Sequence, residues 1–226
     1  NRLNDAITFA EIHINLLYKN EYYELYEDAA YLLIWLYEKN KNAKKLISLL
    51  EKSIEVDKSD YYYYNKLYFI FSDGNLGIKQ DQKRAFQYLL KAEELNSPYI
   101  FNNIGYSYEF GEGVEQNFIK AIEYYEKAKN LNNQITSFYN LGLMYEKGYG
   151  VDVDFKKASQ IYTQAIELYK NKDSLEFWFE NSNEEKYFKY MEDFINEYSL
   201  DNEKFVKNNR IDDYSTNAKP CYYIED

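Results

Sequence analysis

A period of about 37 residues constrains this chain more than any other feature of it. Asn103–Val114 reads Asn-Ile-Gly-Tyr-Ser-Tyr-Glu-Phe-Gly-Glu-Gly-Val, and Lys-Ala-Ile-Glu-Tyr-Tyr-Glu-Lys-Ala follows at Lys120–Ala128. Asn140–Val151 and Lys157–Ala165 repeat the design. Gly105, Tyr108, Gly111, Gly113, Val114 and Ala121 return as Gly142, Tyr145, Gly148, Gly150, Val151 and Ala158. A looser copy lies upstream, with Leu67, Phe71, Gly74 and Gly77-Ile78, then Arg84-Ala85 through to Ala92. A repeat of this length is a two-helix unit that buries its apolar face only by stacking on neighbours.

The residues of one unit explain the pattern. Phe101, Ile104 and Tyr108 share one face of a first helix. Gly105 on that face admits close approach by a second helix. Gly111 and Gly113 end the first helix and turn the chain, because glycine accepts positive φ at little steric cost. Ala121, Tyr125 and Ala128 then face back from the second helix as small, large, small. Asp81, Asn117 and Asp154 stand where N-caps of the second helices belong, and Ser97-Pro98 reads as the cap and first position of a first helix. All eight glycines fall inside the three units, so none remains for a phosphate-cradling loop.

These residues resemble Sel1-like repeats, relatives of tetratricopeptide repeats, in which Leu-Gly-x-x-Tyr-x-x-Gly-x-Gly-Val precedes Lys-Ala-x-x-x-Tyr. The resemblance implies an all-α, right-handed solenoid of helix-turn-helix repeats over residues 60–170. Residues 1–59 read as N-terminal capping helices with a degenerate repeat, 171–209 as C-terminal capping helices and 210–226 as a polar tail, all within one domain. In the N-terminal part, Asn4-Asp5 marks a cap ahead of Ile7, Ala10, Ile14 and Leu17. Glu21–Lys39 is a helix with Leu25, Ala29, Leu32, Leu33, Leu36 and Tyr37 as its buried stripe, and Ala43–Val56 is the next. Past Tyr169, the aromatic knot Leu175, Phe177, Trp178 and Phe179 is expected to cover the last repeat. Asn183–Tyr198 reads as another amphipathic helix, with a short helix at 202–208 behind it.

Composition bounds the function. A net charge of −11 argues against nucleic acid and anionic membranes as partners and favours a basic protein. No apolar run is long enough for a membrane span. Cys221 alone cannot form an intramolecular disulfide, and His13, the one histidine, has no metal-ligand or nucleophile partner at suitable spacing. No cofactor or metal is expected, and the chain is read as non-catalytic. Its start at Asn1 without Met is what removal of a leader or tag would leave, and the sequence does not decide between a bacterial cytoplasm and periplasm.

First helices of such solenoids line the concave face, a common binding surface. The positions there that the core does not claim are Tyr62, Asn65, Phe69, Tyr99, Asn102, Tyr106, Glu109, Tyr139, Leu143 and Glu146, an aromatic and amide groove with acidic residues at its edge. The competing reading is that these tyrosines reflect a chain with 28 of them. The resemblance implies a protein or peptide partner for a chain that is monomeric when unbound. Sequestration of one partner, as by a bacterial immunity protein that neutralises a basic toxin domain, is the first reading. A general scaffold of a signalling, envelope or host-interaction complex is the second.

Overall fold

The computed structural model describes residues 2–132, 135–170 and 184–200. Those residues form ten α-helices and no strand. They are α1 Arg2–Lys19, α2 Tyr23–Lys39, α3 Ala43–Val56, α4 Tyr61–Asp73, α5 Gln82–Ala92, α6 Pro98–Phe110, α7 Phe118–Asn132, α8 Ile135–Lys147, α9 Phe155–Lys170 and α10 Glu184–Leu200. The chain divides into two compact units, one of Asn1–Ile100 with Gly111–Glu115, the other of Phe101–Phe110 with Gln116–Asp226.

In the first unit, consecutive helices pack in pairs from α1 to α5. Ile7, Ala10, Ile14 and Leu17 are the buried stripe of α1, as their spacing predicts. The helix begins at Arg2, however, which places Asn4 and Asp5 inside its first turn instead of at its cap. For α2 four of the six expected stripe residues, Ala29, Leu33, Leu36 and Tyr37, are buried. Tyr26, Ala30, Leu33 and Tyr37 are buried at i, i+4, i+7 and i+11, whereas Leu25 and Leu32 are more than half exposed. This helix is apolar nearly all round, so periodicity alone does not choose its inner face. Lys41 takes a left-handed conformation, and Asn42 accepts from the Lys45 N–H to start α3.

The repeats begin with α4. The Asp60 side chain accepts from the Tyr62 N–H at 2.8 Å and so fixes the start of α4. Each repeat then closes its turn by the same two bonds. Asp81, Asn117 and Asp154 donate their backbone N–H to the carbonyls of Phe71, Tyr108 and Tyr145, each at 2.8 Å. Their side chains accept from the backbone N–H of Arg84, Lys120 and Lys157, three residues on. Gly111 and Gly113 have φ of 70° and 74°, and Gly148 and Gly150 match them at 72° and 71°. The helix at Pro98 starts where expected but without its serine cap: Ser97 Oγ is buried and makes no hydrogen bond among the described residues.

In the second unit, Ala121, Tyr125, Ala158, Tyr162, Ala165, Met144, Leu141, Met191 and Phe194 share one core. α10 packs on both α8 and α9, as a further first helix would, and closes the last repeat. The aromatic knot at 175–179, the helix at 202–208 and the tail lie outside the described residues.

Candidate partner-binding face

The repeat motif accounts for two buried carboxylates of the first helices, Glu109 and Glu146. Gly105 leaves room for the ring of Tyr125: a Cβ there would lie 2.7 Å from the ring carbons. Gly142 does the same for Tyr162. The rings are fully buried, and their hydroxyls donate to Glu109 at 2.6 Å and to Glu146 at 3.1 Å. Each unit of the motif is therefore Gly, then Glu one helical turn later, then Tyr on the second helix. In the upstream repeat, Tyr68 stands at the glycine register, Leu89 at the tyrosine register and Ser72 at the glutamate register, all buried. The bulk has moved from the second helix to the first. The second helix then has no hydroxyl at that register to be accepted by the first, and Ser72 stands in the glutamate's place.

The basic residue of the Lys-Ala or Arg-Ala pair has an equally regular task. The Arg84 guanidinium lies 4.0 Å from the Phe71 ring centre. Lys120 Nζ lies 5.0 Å from that of Tyr108, and Lys157 Nζ 3.9 Å from that of Tyr145. Lys157 also donates to the Tyr145 hydroxyl at 2.6 Å. In all three repeats a cation thus covers the solvent side of the first helix's conserved-register aromatic, which is half-buried in the two downstream copies.

Against this frame of packing, the groove residues separate into two kinds. Glu109 and Glu146 are corrections. Expected at a solvent edge, they are 5% and 3% exposed, because a buried tyrosine hydroxyl must have an acceptor. Glu146 also receives both Tyr190 of α10, at 2.8 and 2.9 Å, and Lys147 Nζ, at 2.6 Å. Burial and the charge of Glu146 push the Tyr162 and Tyr190 hydroxyls well above their ordinary pKa. Asn102 is a third correction: it is fully buried, and its Oδ1 accepts from Ser137 Oγ at 3.5 Å and Asn140 Nδ2 at 3.2 Å.

The remaining positions reach the surface in part. In the first unit, Tyr62, Asn65, Phe69 and Tyr99 are half-buried. Tyr62 meets Tyr31 edge-on at 5.0 Å, with Lys66 Nζ 5.6 Å from its ring centre. Lys66 pairs with Glu38 at 2.8 Å. Tyr99 stacks on Tyr61 with 6° between the rings. In the second unit, Tyr106, Tyr139 and Leu143 are half-buried. Tyr139 packs on Tyr187 and Tyr190 of α10, at 4.3 and 5.4 Å, and so belongs to the closure of the last repeat. Sequence reasoning missed Phe110, which is 41% exposed and 4.5 Å from Tyr106. Its place one turn after Tyr106 was the available signal. Among the described residues, no group of three or more His, Cys, Asp or Glu side chains could hold a metal ion.

The Sel1 repeat family model matches residues 69–97, 102–133 and 139–169. Among solved structures, a Sel1 repeat protein from Oxalobacter formigenes is 25% identical, with a TM-score of 0.54 over 70% of each chain. A protective antigen of uropathogenic Escherichia coli strains, displaying an SLR fold, is 24% identical with a TM-score of 0.55. That match covers 63% of this chain and 30% of the antigen. No curated protein matches the chain. Sel1-repeat proteins generally mediate protein–protein interaction, and their fold is not typically that of an enzyme. The chain thus carries three Sel1 repeats in tandem, the two downstream ones built on one recurring Gly–Glu–Tyr packing unit, and has the all-α fold of Sel1-repeat solenoid proteins.

Proposed function

We propose that the protein sequesters one basic protein partner without catalysis, in the manner of a bacterial immunity protein neutralising a toxin. The observation that carries this reading is the set of aromatic residues left over once the repeat motif is satisfied. Tyr62 and Phe69 of α4, and Tyr106 with Phe110 of α6, all remain partly exposed on first helices. Each of the two patches supplies large, stiff contact area with few rotatable bonds. The net charge of −11 adds long-range attraction for a basic protein and disfavours acidic ones.

The test is capture from lysate of the source organism, with Tyr62→Ala/Phe69→Ala and Tyr106→Ala/Phe110→Ala variants beside the parent. The captured protein is then expressed alone and with the chain. One basic protein in equimolar amount, lost with either variant, that arrests growth alone and not when co-expressed is the expected result. A captured set of several weaker partners would replace this reading with a scaffold. Equimolar capture unchanged by both variants would move the binding surface elsewhere.

A further inference from the structure

A second surface stands apart from the repeats and from the function proposed above. On α1, Phe9, Ile12 and Leu16 are 74%, 54% and 54% exposed. Together with Asp5 and Lys19 they follow the spacing 4, 3, 4, 3, which keeps one face of a helix turned toward a neighbouring helix. This stripe lies opposite the buried one of Ile7, Ala10, Ile14 and Leu17, so packing among the described residues does not account for it. Large apolar side chains at adjoining exposed positions mark an interaction surface.

The order of residues along the stripe identifies the occupant. It runs acidic, apolar, apolar, apolar, basic, with Ile12 at its midpoint and both charged ends exposed. We propose that α1 pairs antiparallel with α1 of a second copy of this chain about a two-fold axis at Ile12. Such an interface is isologous, so each side must complement itself. In this register Ile12 meets Ile12, Phe9 lies beside the second copy's Leu16, and Asp5 lies beside the second copy's Lys19. A parallel pairing would set Asp5 against Asp5 and Lys19 against Lys19. The exposed apolar residues of α2 do not offer the same solution. Leu25, Leu32 and Trp35 are interrupted by Asp28, and Lys39 Nζ lies 5.7 Å from the Trp35 ring centre. The pairing replaces the monomer that the sequence leads one to expect.

Sedimentation velocity of the full chain across a micromolar concentration series tests this, with circular dichroism confirming helix content in every variant. The parent is expected to form a reversible dimer. Ile12→Glu, and independently Phe9→Ser/Leu16→Ser, are expected to raise the dimer dissociation constant at least tenfold without loss of helix. Asp5→Lys and Lys19→Asp should each weaken the dimer, and the two together should restore it. A parent that stays monomeric throughout the series overturns the proposal, as does a dimer indifferent to Ile12→Glu. Failure of the double charge exchange to recover what each single exchange loses overturns the antiparallel register.

Discussion

Gly142 and Tyr162 show how one missing side chain organises a repeat. A methyl group at Gly142 would enter the Tyr162 ring, and no rotamer of a fully buried ring relieves the clash cheaply. Gly142→Ala is expected to cost about 1–3 kcal/mol in denaturant unfolding, with Gly105→Ala following the same direction against Tyr125. Glu146→Ala removes the acceptor of the Tyr162 hydroxyl and should destabilise by about 1–3 kcal/mol. An unchanged denaturation midpoint for Glu146→Ala would return that glutamate to a surface role. The buried and half-buried tyrosines also set an alkaline limit. Burial, then neighbouring carboxylates, raise the pKa of Tyr31, Tyr37, Tyr162 and Tyr190 above the usual value near 10. A raised native pKa leaves stability intact below about pH 10 and erodes it above, where the unfolded chain ionises first. The unfolding midpoint measured from pH 8 upward should therefore fall beyond about pH 10, and tyrosinate absorbance should rise in step with unfolding.

Among the helices, α10 and α2 make opposite tests of how position decides the meaning of an apolar residue. Met191 and Phe194 of α10 are 0% and 3% exposed within the core of the second unit. Met191→Ala should lose about 2–5 kcal/mol, and a near-neutral result would mean that α10 does not close the last repeat. Leu25 and Leu32 of α2 are as apolar as any core residue and yet exposed. Leu25→Ser/Leu32→Ser should shift stability by no more than about 0.5 kcal/mol per site. A loss of several kcal/mol would restore the buried stripe that periodicity suggests for this helix.

For the molecule as a whole, charge governs encounter more than cohesion. With 38 acidic and 27 basic residues, the chain attracts a basic partner over distances that salt shortens. Association with the proposed partner should slow markedly between low and physiological ionic strength, while its dissociation rate changes little. Stopped-flow measurement at several salt concentrations checks this. A salt-independent association rate would remove charge from the account of partner choice. The cations that cover Phe71, Tyr108 and Tyr145 contribute differently, because each is held within its own repeat and acts at short range.

The sequence by itself determined the repeat architecture, the turns and the second-helix caps. Each of these depends on a local property of one residue: positive φ at Gly148, a short acceptor at Asp154, a small face at Ala158. Such properties act within a few residues along the chain and leave a periodic trace. Tertiary structure decided which of the remaining residues face solvent. Glu109 and Glu146 carry a charge that ordinarily belongs at a surface, although each lies one turn after the inward glycine. Only the arrival of Tyr125 and Tyr162, 16 residues later, turns them inward. The same holds for Tyr139, claimed by α10, and for Leu25, Leu32, Phe9 and Ile12, which packing among the described residues leaves outside. Apolarity is a property of the residue, whereas burial is a property of what another part of the chain brings to it.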